Sequence, residues 1–374
     1  MSNASSPMPS PIPYPPPMSR LLLPLSRLYL LELARRNRAY DRGRGVRTLP
    51  IPVLSVGNLS VGGTGKTPTV RTVCTWLLAA GHTPAIAMRG YKPGPHGSDE
   101  ALEYRRLLPD TPVIVGPDRY EAITEFLTAS SSRVPSARCP APSCILLDDG
   151  FQHRKLARTF DLVLIDASRS PYDDAPLPAG RLREPPSTLA RAQAVLITHA
   201  ELARPDQLAA LESRLRREHP HLTIAVGEHA WSGLLVREAS DAGVPVTQPL
   251  DWLHNKRVIA ACGLGNPNAF FAAAERAIGA APAETIALPD HAHFNTAQRA
   301  GIAAAVRRHR ADCVLVSLKD DVKIATPADF GVPLAAALLH LRFHAGEADL
   351  RDRVLATVAQ PSRLGGEGGC TAAG

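Results

Sequence analysis

Residues 55–67, SVGNLSVGGTGKT, follow an apolar run at 51–54 and lead into a helical pattern, the strand, glycine loop and helix order that grips a nucleotide triphosphate. Gly62, Gly63 and Gly65 carry no Cβ, so backbone N–H groups can close around phosphate oxygens, and the helix beyond aims its positive end at the same charge. Ser60, Val61 and Thr64 complete the cradle, with Lys66 placed for the β and γ phosphates and Thr67 for Mg²⁺. The strict form of this loop has glycine where Ser60 stands. The expected ligand is ATP or GTP.

A second element of the same chemistry is the strand-like run 145–147 ending in Asp148 and Asp149, one of which is expected to reach the metal directly or through water. Gln152, His153 and Arg154 crowd the same edge, the first two on the side of the phosphates and the substrate. Asp99 and Glu100 follow the loop RGYKPGPHGS at the start of a helix. An acid there can take the proton of an attacking hydroxyl, or simply compensate the helix dipole. Arg181 and Arg183 either stabilise a transferred phosphoryl group or pair with Glu184. Further on, DHAHF (290–294) and LKDDVK (318–323) are the conspicuous polar groups. The two histidines of the first have no nearby cysteine or third histidine to make a zinc site.

These residues need a scaffold, and from 50 to about 200 short aliphatic runs (51–56, 83–88, 144–147, 162–165, 194–198) alternate with helical stretches. That alternation predicts a parallel α/β sheet with its ligand at the carboxyl ends of the strands, where the glycine loop falls. The segmentation predicts a P-loop NTPase-like domain at 46–221, a linker region at 222–255 with short strands at 222–226 and 233–236, a smaller α/β lobe at 256–345 and a tail at 346–374. RVIAACGLGNPNAF opens the second lobe, with a strand expected at 312–317. Its Gly263 and Gly265 begin a dinucleotide fingerprint that Asn268 breaks.

The chain has 374 residues, 45% hydrophobic, enough for two cores and too apolar for disorder. Its +7 balance is not a nucleic-acid signature, because eight arginines between Arg20 and Arg47 against Glu32 and Asp41 place +6 of it before residue 50. Seven prolines in 1–17 predict an unfolded leader. At 18–45, Leu22, Leu25, Tyr29 and Leu33 share one helical face, with Arg20, Arg27 and Arg38 opposite. This amphipathic helix lies in an anionic membrane interface or docks on the protein's own core. Charges interrupt it too often for it to span a bilayer, and Pro24 either kinks it or marks its first turn. The six cysteines show no CxxC pairing, which fits packed thiols in a reducing compartment.

Taken in order, SVGNLSVGGTGKTP, RGY with Asp99 and Glu100, LDDGFQHR, PAGRLREP, GLGNP, DHAHF and LKDDVK resemble the tetraacyldisaccharide 4′-kinases of lipid A synthesis over residues 19–323. The resemblance implies transfer of the ATP γ-phosphate to the 4′-hydroxyl of a tetraacylated glucosamine disaccharide 1-phosphate, a membrane lipid, at the cytoplasmic face of the bacterial inner membrane. By the same resemblance Asp99 is the base and His291 the histidine that orients it, from different lobes that close over ATP. Arg183 and Glu184 would lie near the nucleotide, with Glu100, Gln152, His153 and Arg181 toward the substrate. No nucleic-acid or protein partner is expected. Two positions depart from the family's usual pattern: Leu318 where an acid commonly precedes Lys-Asp, and Ala292 where a second histidine is common.

Overall fold

The computed structural model describes residues 21–90, 98–131, 141–240, 245–290 and 292–359. The proline-rich leader, Arg20, His291, most of the 130–143 loop and the glycine-rich stretch at 360–374 lie outside the described residues. Along the chain run α1 (Leu23–Asp41), β1 (Val53–Asn58), α2 (Lys66–Ala79), β2 (Pro84–Met88), α3 (Asp99–Leu107), β3 (Val113–Val115), α4 (Arg119–Ser131), β4 (Cys144–Asp148) and β5 (Phe160–Asp166). Then come β6 (Ala194–Thr198), α5 (Pro205–Glu218), β7 (Thr223–Arg237), β8 (Val246–Gln248), β9 (Val258–Cys262), α6 (Pro267–Ile278) and β10 (Glu284–Ala287). The last elements are α7 (Thr296–His309), β11 (Cys313–Ser317), α8 (Leu318–Asp321), β12 (Leu334–Ala345) and α9 (Glu347–Ala359). The fold is α/β with mostly parallel strand pairing.

The chain divides into two compact units that interleave in sequence, one made of 1–66, 149–227 and 344–374 and the other of 67–148 and 228–343. In the first, β1 pairs with β5, β5 with β6, and β6 with the opening residues of β7, all in parallel. Strands such as AVLIT and FDLVLID are apolar almost throughout because helices and loops cover both faces, so no polar face is needed. One core gathers Leu59, Phe151, Val163, Ile165, Val195, Ile197, Leu211 and Leu215. Gly57 of β1 is required there, since a Cβ would come within 2.6 Å of the Phe151 Cβ.

In the second unit β2 pairs in parallel with β3 and β4, and β9 with β10 and β11, with β12 beyond β11. β7 pairs antiparallel with β8. The helix ends are well marked: Asn266 caps α6 ahead of Pro267, and Asn295 and Gln298 form a reciprocal capping box on α7.

The structure corrects several expectations. The pieces read at 222–226 and 233–236 are a single fifteen-residue strand, β7. Part of the expected C-terminal tail is helix α9, which buries Leu350, Val354 and Val358. Pro24 sits in the first turn of α1, where its missing N–H costs nothing, and does not kink the helix. On α1 the faces also differ from the reading, for Leu33 is buried and Tyr29 half-buried against the first unit, while Leu25, Leu28 and Leu31 point outward, 51–67% exposed. Cys74, Cys144, Cys262 and Cys313 are buried free thiols, and Cys139 and Cys370 lie outside the described residues.

Candidate active site

The glycine loop connects β1 to α2. Gly62 and Gly65 have φ of +120° and +79°, conformations that L side chains rarely adopt, which is the local reason for glycine at these two places. The loop is held from beneath: Asn58 Nδ2 donates to Thr64 Oγ1 at 2.9 Å, and Thr198 Oγ1 at the end of β6 donates to the Thr64 carbonyl at 3.2 Å. Both donors are fully buried. Alongside, Ser60 bridges Leu182, the Val61 N–H donates to the Arg181 carbonyl at 2.8 Å and the Arg183 N–H to the Leu59 carbonyl at 2.7 Å. The segment carrying Arg181 and Arg183 is thereby strapped to the loop through the backbone. The Arg181 guanidinium lies against Gly62, within 3.3 Å of where a Cβ would stand.

Lys66 begins α2, and its Nζ lies 3.6 Å from Asp149 Oδ1. Arg183 Nη1 donates to both Asp149 oxygens, at 2.8 and 3.0 Å, and reaches Gln152 Oε1 at 3.5 Å. Gln152 in turn donates to the Asn58 carbonyl at 2.9 Å. Asp149 has φ of +50°, a turn geometry that swings its carboxylate toward these two cations. His153 is half-buried, and its N–H donates to the Gly150 carbonyl at 2.8 Å. Glu184, which the resemblance puts near the nucleotide, is only 1% exposed and pairs with Arg191 at 2.8 Å, while Arg191 lies 3.7 Å above the Phe151 ring, so in this structure the acid braces the core.

In the second unit Asp148, 5% exposed, accepts a 3.0 Å hydrogen bond from the hydroxyl of Tyr104, a wholly buried phenol that also bonds Thr67. Burial, and next the Asp148 charge, push the Tyr104 pKa well up, so the hydroxyl stays a donor and Asp148 an acceptor. Thr67, Asp148 and Tyr104 thus form one oxygen cluster. Asp99 and Glu100 open α3, both half-buried. Glu103, one turn on, is pushed up to about 7 by burial, with Arg71 and Lys319 opposing and Glu100 and Asp148 adding. Asp99 Oδ2 lies 3.0 Å from Lys323 Nζ.

The motifs GLGNP, DHAHF and LKDDVK, far apart in sequence, meet in this unit. The Gly263 N–H donates to Asp320 Oδ2 at 3.0 Å, and a Cβ on Gly263 would stand 3.0 Å from that of Ala292. The amide that a dinucleotide fingerprint would aim at a phosphate is therefore taken by an internal carboxylate. Leu318 and Ala292, the two departures from the family pattern, are both buried in one apolar core with Phe294, Ile302 and Phe330. Asp99 belongs to the same unit as the residues flanking His291, whereas the sequence placed the two on different lobes. Asp290 and His293 are exposed. Sequence reasoning passed over Tyr104 and Arg191, which carry no motif signal, and noticed Lys323 without giving it a role.

A mostly parallel α/β scaffold with a phosphate-gripping loop, a lysine at the helix start and acids at a strand end defines a nucleotide-binding protein of the P-loop kind. A family model described as tetraacyldisaccharide-1-P 4′-kinase (LpxK) matches residues 18–359, and the chain belongs to that family. It is 35% identical over 313 residues to the tetraacyldisaccharide 4′-kinase of Anaeromyxobacter dehalogenans (strain 2CP-C), covering 78% of this chain and 77% of that one. It is 30% identical over 360 residues to the tetraacyldisaccharide 4′-kinase of Syntrophus aciditrophicus (strain SB), covering 87% and 90%. Among solved structures, LpxK from Aquifex aeolicus in complex with ATP superposes with a TM-score of 0.67 at 26% identity, covering 91% of this chain and 99% of that one.

Proposed function

We infer that the protein transfers the γ-phosphate of ATP to the 4′-hydroxyl of tetraacyldisaccharide 1-phosphate in lipid A synthesis. Family membership supports the reaction, and the observation that carries the reading into this chain is the cationic cluster of Lys66 and Arg183 on Asp149 beside a loop whose Gly62 and Gly65 adopt the positive φ of a phosphate-gripping turn. Ser60, Val61, Gly62, Gly63, Thr64 and Gly65 would cradle the phosphates. Lys66 and Arg183 would offset their charge, exchanging Asp149 for phosphate oxygens when ATP binds.

The donor set of Thr67 hydroxyl and Asp148 carboxylate, with Tyr104 holding the carboxylate in place, is the hard-oxygen chemistry that Mg²⁺ takes. Those two residues would hold the ion, with Asp149 nearest to them in sequence, and when bound it would supply charge stabilisation on the phosphates. Asp99, at the positive end of α3, would receive the proton of the acceptor hydroxyl, with His291 beside it in the family's pattern. Gln152, His153, Glu100 and Arg181 would line the acceptor side.

The substrate is a lipid, and the outward leucines of α1, flanked by Arg27, Arg35, Arg36 and Arg38, suit an anionic membrane surface at the cytoplasmic face. No helix among the described residues is long and apolar enough to cross a membrane. The test is phosphate transfer from γ-labelled ATP to detergent-dispersed tetraacyldisaccharide 1-phosphate. The intact chain is expected to form product, and Asp99→Ala to bind ATP but lose turnover by roughly two orders of magnitude or more. Absence of product from intact chain that binds Mg-ATP would reject the acceptor.

A further inference from the structure

We propose that Lys323 is a positioning residue for Asp99, and that LKDDVK exists in this chain to hold it there. The proposal rests on the reading of Asp99 as the group that takes the acceptor proton. Lys323 is only 6% exposed, and its ammonium lies 3.0 Å from Asp99 Oδ2 and 3.8 Å from Asp320 Oδ1. Asp320 is wholly buried and anchored. Its Oδ2 accepts from Ser317 Oγ at 2.6 Å and from the Gly263 N–H at 3.0 Å, and the Asp320 carbonyl accepts the Lys323 N–H at 3.0 Å. The ammonium therefore sits between a carboxylate that cannot move and one that must be aimed. With so little water able to reach it, an ion pair of this kind fixes direction as well as charge.

The neighbouring acid makes a second tie to the same helix. Asp321, 1% exposed, is gripped by Arg237 through bonds of 2.9 and 2.7 Å to Oδ1, and its Oδ2 lies 3.7 Å from Arg106. Arg106 is in the last turn of α3 and Asp99 in the first. Consecutive acids of one short turn thus secure α3 at both ends, directly through Arg106 and by way of Lys323. In the transfer step the acceptor oxygen forms its bond to the γ-phosphorus as the bond from that phosphorus to the bridging oxygen breaks, the electron pair leaving on ADP. The acceptor proton passes to Asp99. Lys323 takes no proton in this step and only keeps the receiving carboxylate in line.

The experiment uses the full chain with Mg-ATP and detergent-dispersed tetraacyldisaccharide 1-phosphate, comparing Lys323→Met, Lys323→Gln, Lys323→Arg, Asp99→Ala and the double variant Asp99→Ala/Lys323→Met, each checked by thermal unfolding and ATP binding. Lys323→Met is expected to lower kcat roughly 10- to 100-fold while KM for both substrates stays within about 3-fold, with Lys323→Arg recovering part of the loss. Where methionine unfolds the unit, Lys323→Gln carries the same expectation. The double variant should be no slower than Asp99→Ala, because a residue that acts only through Asp99 has nothing left to position. Wild-type turnover in the folded methionine or glutamine variant, or a double variant slowed further by the full factor of the single one, would overturn the proposal. Wild-type turnover in Asp99→Ala would instead remove the reading beneath it.

Discussion

Replacing Arg191 with methionine tests whether Glu184 braces the first unit or serves the nucleotide. The Glu184 carboxylate is 1% exposed and its ion-pair partner is Arg191, at 2.8 Å. The same guanidinium donates to the Phe151 carbonyl at 3.1 Å and to the Thr188 carbonyl at 3.3 Å, and stacks on the Phe151 ring. Methionine keeps the apolar stem and removes the charge, leaving a buried carboxylate alone. Breaking a buried pair in this way costs about 3–5 kcal/mol, a sum dominated by the stranded charge and not by the attraction lost. For a folding unit of this size each kcal/mol moves Tm by about 2–4 °C, so Arg191→Met should melt about 6–20 °C early. Adding Glu184→Gln should recover more than half of the loss, since it removes the stranded charge. Scanning fluorimetry and urea titration read the stability, and ATP titration of the folded single variants reads nucleotide affinity, expected to change by less than about 2-fold. A melt within about 2 °C of wild type would refute the energetic argument. A Glu184→Gln variant of unchanged stability whose KM for ATP rises about tenfold would refute the structural assignment and restore the nucleotide one.

His199 lies 3.4 Å from Asp166 in the first unit. Burial lowers its pKa, but the hydrogen bond and charge of Asp166 outweigh this and leave it above the usual 6.5, while the same contacts overcome burial to hold Asp166 below its usual 3.8. The His199 contribution is therefore complete below 6.5 and is lost as pH rises through the raised value, and the Asp166 contribution is lost as pH falls through the lowered one. Urea midpoints between about pH 6 and pH 9 should fall more for wild type than for His199→Gln, and parallel profiles would contradict the pairing. Leu25, Leu28 and Leu31 are 51, 62 and 67% exposed, so changing all three to aspartate should alter stability by less than about 1 kcal/mol. The same variant should lose co-sedimentation with anionic vesicles, and undiminished vesicle binding would remove α1 from the membrane reading.

Legibility in the sequence follows the range of the physics involved. β6 runs over the residues expected, 194–198, because a short continuous apolar run between polar loops has few other ways to fold. β12, LAAALLHLRFHA, has no strand signal of its own: its alanines favour helix locally, and it is pairing such as that with β11 that makes it a strand. The sequence reads as two strand pieces, 222–226 and 233–236, because the stretch between them includes polar residues such as Glu228 and His229, which β7 carries through without a break. At the site, the glycine loop could be read because each residue acts on its neighbours. Glu184 could not, because a carboxylate beside two arginines looks alike in a binding site and in a core until its burial is known. The Lys323 contact with Asp99 joins residues on opposite sides of more than two hundred others, and no local pattern encodes it.

The interleaving of the two units has a consequence for how the molecule is made. The first unit, which holds the glycine loop, also needs α9, whose Arg353 donates to Thr223 Oγ1 at 3.3 Å and whose approach at Gly346 leaves no room for a Cβ beside Ile224 and Ala225. A chain emerging from the ribosome exposes its phosphate loop early and must hold it unfinished until α9 is released. The second unit, complete by residue 343, has every residue it needs while the first still waits. Nascent chains arrested short of α9 should therefore show protease resistance in the second unit and an open, chaperone-accessible first one. A stop codon placed just ahead of α9 would then act as a nucleotide-site mutation, although it lies almost three hundred residues from Lys66.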